Sequence, residues 1–261
     1  MKRFIIYIIG VALCGFGTLR AQNTTFADST VVYTKAMADS AYAEADYATA
    51  IHVYEQLIAT HGESAAIYYN LGGAYYKMDE IARAILNYER ALLIEPSNAD
   101  AKFNLELARS KAVDKNVLVS EVFLVHWYRD FAAMMSADEW AKVAILCFII
   151  LISCLVLFIF GKKRKTKKII FIFAILSLVC TIWANVIASQ QTSKLQHRES
   201  AIVVEPSVTV RSTPSVNGTE LFILHEGKKV KIKDDSMKAW KEIELEDGNI
   251  GWLSAESIEK I

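Results

Sequence analysis

Outside its apolar stretches the sequence has no cysteine: Cys14 lies in the first such stretch, and Cys147, Cys154 and Cys180 lie in two later ones. The polar regions therefore have no disulfide framework and no thiol chemistry. Charge of one sign is lacking too, because 29 Lys and Arg balance 29 Asp and Glu, so net charge points to no particular partner. There is no glycine-rich nucleotide loop, no nucleophile motif and no His or Cys cluster at metal-ligand spacing; His52, His61, His126, His197 and His225 fall in separate segments. These absences predict a protein that is not an enzyme and carries no cofactor or metal.

What is plentiful is apolar side chain, 53% of 261 residues, with a mean hydropathy of +0.25 that is high for a wholly soluble chain. The excess is localised in VAILCFIILISCLVLFIF (143–160) and IIFIFAILSLVCTIWANVIAS (169–189), which contain no charge. Each is about long enough to cross a ~30 Å hydrocarbon core, so transmembrane helices are predicted over 142–160 and 169–189. Between them GKKRKTKK (161–168) concentrates Lys162, Lys163, Arg164, Lys165, Lys167 and Lys168. Short Lys- and Arg-rich loops stay cytoplasmic, which turns both outer helix ends away from the cytoplasm. A loop this short with no aromatic interleaving is a poor nucleic-acid surface, so no nucleic acid is expected; anionic lipid headgroups fit it better. The start, MKRFIIYIIGVALCGFGTLRAQ, has the layout of a signal peptide over 1–21, although Leu19 at the minus-three position leaves an uncleaved anchor open. In a bacterium both soluble regions would then be periplasmic and the chain would sit in the inner membrane.

Two consecutive blocks of 34 residues, 31–64 and 65–98, repeat one pattern. In the second, Tyr68, Leu71, Gly72, Tyr75, Ala84, Tyr88, Ala91 and Pro96 resemble the tetratricopeptide repeat family: large residues for the seam between two helices, small ones for close backbone approach, Pro to end the second helix. The first block keeps Ala38, Ala50 and Tyr54 and stops its helix with Gly62 instead of Pro. ADAKFNLELARSK repeats the first-helix pattern and reads as a capping helix over 99–112, giving an all-α repeat solenoid within 22–116. The resemblance implies a concave, peptide-binding face built from the first helix of each repeat. It directs Lys35, Asp39, Tyr42, Tyr69, Tyr76, Lys77, Phe103 and Leu107 to that face. Family members that grip a terminal carboxylate use five basic and amide positions; here Lys35 and Asn70 fit, while Asp39, Asp100 and Asn104 depart, which argues against carboxylate capture. Packing between helices is the competing role for each aromatic residue.

The segment 117–141 carries Trp127, Tyr128 and Phe131, then Ser136 and Glu139 as a helix cap, and reads as an amphipathic stretch at the membrane surface. His126 and Asp130 form an ordinary i, i+4 pair rather than an acid–base site. After a linker over 190–200 the period changes. Alternating strands are expected at Ser207–Arg211, Leu221–His225, Lys229–Ile232, Trp240–Leu245 and Ile250–Leu253, with Asn217-Gly218 and Asp247-Gly248 as tight turns. The expected core is Val208, Val210, Leu224, Val230, Ile232, Ile243 and Trp252, with Arg211 bracing a loop. The order VTVRSTPS, LHEGKKVKI, W, DGNIGWL resembles the bacterial SH3-like family, which implies a small all-β barrel over 201–261 and a binding surface at Glu226, Lys228 and Trp240.

Taken in this order, the parts resemble the BatE proteins of the Bacteroides aerotolerance operon: a multidomain membrane protein with repeats, a two-helix hairpin and an SH3-like domain. That resemblance implies a membrane scaffold whose protein partners include von Willebrand A-type domain proteins. The alternative is a cell-wall attachment protein that binds peptidoglycan through the SH3-like domain, with the repeats as a spacer. Transport ranks last, since the spans lack ionisable residues and two helices enclose no path.

Overall fold

The computed structural model describes residues 33–114 and 123–261. The signal peptide expected over 1–21 and the first part of the 117–141 segment lie outside them. Among the described residues the chain starts with five helices, α1 (Lys35–Ala43), α2 (Tyr47–His61), α3 (Ala65–Lys77), α4 (Ile81–Ile94) and α5 (Ala99–Lys111). Side-chain caps mark where they begin: Thr34 accepts from the Met37 amide, Asp46 from Thr49 and Asn98 from Ala101. Gly62, at φ +90°, stops α2, and α4 ends two residues before Pro96. The turns inside the two hairpins place Ala45 (φ 62°) and Asp79 (φ 63°), 34 residues apart, in the left-handed region.

The seam follows the sequence pattern. Tyr68, Leu71, Tyr75, Ala84, Tyr88 and Ala91 are buried. At Gly72 a Cβ would come within 2.9 Å of the Tyr88 ring and 3.3 Å of the Ala84 carbonyl, so α3 and α4 approach this closely only because the position is glycine.

Three further helices follow: α6 (Phe123–Ala132), α7 (Ala137–Phe160) and α8 (Arg164–Gln196). Ser136 and Glu139 form a reciprocal capping box at the start of α7, as the sequence suggests. Helices α7 and α8 are long and apolar enough to cross a membrane, and only 6% and 17% of their most apolar windows are buried, unlike the core helices of a soluble domain. They pack through small residues, Ala144, Ala174, Ser177 and Ala184, with Ser177 Oγ donating to the Cys147 carbonyl. The basic run is less of a loop than expected. Only residues 161–163 are non-helical, and Arg164, Lys165, Lys167 and Lys168 lie in the first turns of α8. At the other end α8 runs to Gln196, so most of the expected 190–200 linker is helix.

The remaining chain forms one antiparallel sheet of seven strands: β1 (Ser200–Val203), β2 (Ser207–Arg211), β3 (Glu220–His225), β4 (Lys229–Asp234), β5 (Trp240–Glu244), β6 (Ile250–Ser254) and β7 (Ile258–Lys260). Their order is β3-β2-β6-β5-β4-β1-β7, so β3 and β7 are edges and the expected barrel is not closed. Two expectations shift in detail. Trp252 is only half-buried, and its neighbour Leu253 fills the core instead; a one-residue error flips a strand residue to the other face. Gly248 has the positive φ of a tight turn (+86°), but Gly218 does not; a Cβ there would lie 3.0 Å from the Thr213 carbonyl oxygen, so close approach is what requires that glycine. Arg211 braces this loop as expected, donating to the Gly218 carbonyl at 2.9 Å.

The sheet packs on the repeats through β1. Alternation sends Ala201 and Val203 into the sheet core and Ile202 into the helical core beside Ile85 of α4. Ile261 joins the same helical core.

Candidate partner-binding groove

A cavity of about 460 Å³ opens on the face formed by α1, α3 and α5. Helical spacing explains its walls. Tyr69, Gly73, Tyr76 and Lys77 repeat at intervals of three and four along α3, Asp39 and Tyr42 come from α1, and Asn104 and Leu107 from α5. Tyr54 of α2 and Tyr88 of α4 reach through the seam to form its floor. Gly73 leaves the floor open: a methyl group there would meet the Tyr42 hydroxyl at 3.4 Å.

The polar groups are held by one another. Asp39 accepts from Lys35 Nζ at 2.6 Å, from the Tyr54 hydroxyl at 2.6 Å and from Asn70 Nδ2 at 3.3 Å. Desolvation alone would raise the Asp39 carboxyl, but these hydrogen bonds outweigh it and hold the group below the usual carboxylate range. Burial and then the Asp39 carboxylate push the Tyr54 phenol up, so it stays a donor. Tyr88 is likewise raised, mainly by burial and then by Tyr42, Tyr69 and Tyr76. Asn104 Nδ2 donates to the Tyr69 hydroxyl at 3.2 Å, and Lys111 Nζ lies 4.4 Å from the Tyr76 ring centroid. Because Lys35 and Asn70 both spend donors on Asp39, the two residues that fit a carboxylate clamp are already engaged.

Six of the eight groove candidates therefore line one cavity: Asp39, Tyr42, Tyr69, Tyr76, Lys77 and Leu107. Lys35 stands beside it, bound to Asp39, while Phe103 is 66% exposed and lies outside the lining. Tyr54 and Tyr88, which the repeat pattern assigns to helix packing, also reach the cavity. The signal that would have found them is periodic: Tyr42 and Tyr76, Tyr54 and Tyr88, and Asn70 and Asn104 are each 34 residues apart.

The second expected surface is only partly exposed. Lys228 is 6% exposed, Glu226 is half-buried in the same β3–β4 turn, and Trp240 starts β5. That turn faces the repeats: a Cβ on Gly227 would lie 2.9 Å from Ile85 Cδ1. Lys228 is thus buried rather than part of an exposed surface, while Glu226 stays half-exposed at the edge of this joint.

Helical hairpins at this period, with an open face made by their first helices, define a repeat class. Residues 65–98 match the family model of the Tetratricopeptide repeat. A comparison with curated proteins found no match to the chain.

Proposed function

We propose that this chain is a non-enzymatic scaffold of the bacterial inner membrane. The basic start of α8 would face the cytoplasm, and the repeats and the SH3-like sheet would present a protein-binding surface in the periplasm, within a Bat-type complex of the aerotolerance or envelope-stress kind. The tyrosine-lined cavity on the α1–α3–α5 face is the observation that carries the reading. It offers aromatic area with little rotamer entropy to lose, framed by amides and a lysine, and such aromatic pockets dominate the energetics of protein partners. The partner's segment is apolar, anchored by Tyr42, Tyr69 and Tyr76, with Lys77 at the rim setting its polarity. The packing of the β3–β4 turn against the repeats weighs against peptidoglycan attachment through that turn.

The test is co-purification from mild-detergent membranes, comparing the wild-type chain with Tyr76→Ala and with Gly73→Leu, which fills the floor while removing a helix-destabilising glycine. A defined set of proteins retained by the wild type and lost in both variants, with helical circular dichroism unchanged, supports the scaffold. Identical partners in all three, or none in any, sinks it.

A further inference from the structure

We propose that a second cavity, where the repeats, α6, the end of α8 and the sheet meet, binds the headgroup of an anionic phospholipid. The cavity holds about 660 Å³ and is lined by five cationic side chains, Arg129, Lys194, Arg198, Lys229 and Lys231, against two carboxylates, Glu89 and Glu199. Both carboxylates are taken, Glu89 by Lys229 at 2.8 Å and Glu199 by Lys231 at 3.7 Å, and Arg198 pairs with Glu63. Among the described residues Lys194 has no ion-pair partner, so its charge is available to a ligand. Gln191 also lines the cavity. Its amide nitrogen donates to the Ala132 and Met135 carbonyls, which pins the end of α8 to the turn after α6 and fixes the cavity wall.

Position selects the source of that chemistry. From Lys168 to Gln190 the α8 axis rises roughly 33 Å, about one hydrocarbon thickness, which puts the cavity at the headgroup layer opposite the basic start of the helix. The surrounding side chains agree. The Tyr128 ring packs edge-on against Trp183 at 6.2 Å, the Tyr128 hydroxyl donates to Gln190 at 2.7 Å, and Phe123, Leu124 and Trp127 of α6 are bare. A phosphodiester in the cavity would leave its acyl chains against the exposed apolar sides of α7 and α8. The inference rests on reading α7 and α8 as membrane spans.

The full chain in mild detergent, titrated with phosphatidylglycerol or phosphatidylcholine and followed by native mass spectrometry and thermal unfolding, tests it. Retention of phosphatidylglycerol in preference to phosphatidylcholine is expected, reduced roughly fivefold by Lys194→Gln. Lys194 is exposed, so this variant keeps the fold. The double variant Lys162→Gln, Lys163→Gln, at the far end of the hairpin, keeps the preference. Equal retention by Lys194→Gln and wild type overturns the site, as does a preference abolished only by the double variant. Stabilisation by inorganic phosphate equal to that by phosphatidylglycerol overturns the lipid assignment. Release of the wild-type chain from vesicles by alkaline carbonate instead overturns the membrane-span reading on which the site depends.

Discussion

Arg90 of α4 donates through Nε, at 3.2 Å, to the backbone carbonyl of Lys260, 170 residues further along the chain, and its Nη2 reaches Glu259 at 2.9 Å. The guanidinium thus occupies part of the open edge at β7, where unpaired backbone groups would otherwise invite another strand. Beside it Ile202 and Ile261 enter the helical core, so repeat and sheet share apolar packing as well as polar contacts.

A shared core predicts shared stability. Ile202→Ala, at a fully buried position, should cost about 2–5 kcal/mol and should lower protection of both α4 and β1 in hydrogen exchange. Loss of protection in β1 alone would show that the repeats are stable without the sheet.

Glu89 makes the polar half of this joint. It is 7% exposed and bridges Arg109 of α5 to Lys229 of β4, at 2.8 Å from the latter. Removing the carboxylate leaves two half-buried cations facing each other, so Glu89→Ala should destabilise by roughly 2–4 kcal/mol, measured as a lower midpoint of chemical unfolding. Adding Lys229→Met should restore part of that loss; if it adds a further independent loss, the cations are not strained by the missing carboxylate.

The joint shows where the sequence stops being legible. The repeats declare themselves because their packing is local: each seam residue meets partners within one period of 34, and the cap of α7 is written in four residues from Ser136 to Glu139. Strands β2 to β6 are legible from alternation, but β1 is not, because Ala201, Ile202 and Val203 are all buried when a strand lies between two cores. Lys228 reads as a surface residue because nothing local says that α4 will cover the β3–β4 turn. The groove falls between these cases: its α1, α3 and α5 residues follow helical spacing, whereas Tyr54 and Tyr88 enter it from behind through a seam that already accounts for them.

The turn between α1 and α2 holds a reserve of stability. Ala45 sits at φ 62°, where its Cβ crowds the backbone, and it is exposed, so no packing compensates. Ala45→Gly should raise stability by about 0.5–1 kcal/mol, seen as a higher unfolding midpoint, with the groove unchanged. An unchanged or lower midpoint would mean that the entropy glycine gains in the unfolded chain cancels the relief.

Acid should loosen the contact between the start of α3 and the end of α8. The Arg198 guanidinium beside Glu63 holds the Glu63 carboxyl below the usual range, against the raising effect of partial burial, and the Tyr68 hydroxyl donates to it at 2.9 Å. A carboxyl lowered in the folded chain binds fewer protons there than when unfolded, where it titrates near about 4.3, so its contribution is complete above that pH and disappears as pH falls through the folded value. The arginine stays charged throughout and contributes no titration of its own. Arg198→Gln removes the cause, so its stability deficit relative to wild type should be largest at neutral pH and shrink below about pH 4. Unfolding midpoints of the two proteins at pH 7, 5 and 3 measure this directly. A deficit of the same size at pH 3 would mean that Arg198 acts through packing of its guanidinium and its hydrogen bond to the Leu195 carbonyl rather than through Glu63.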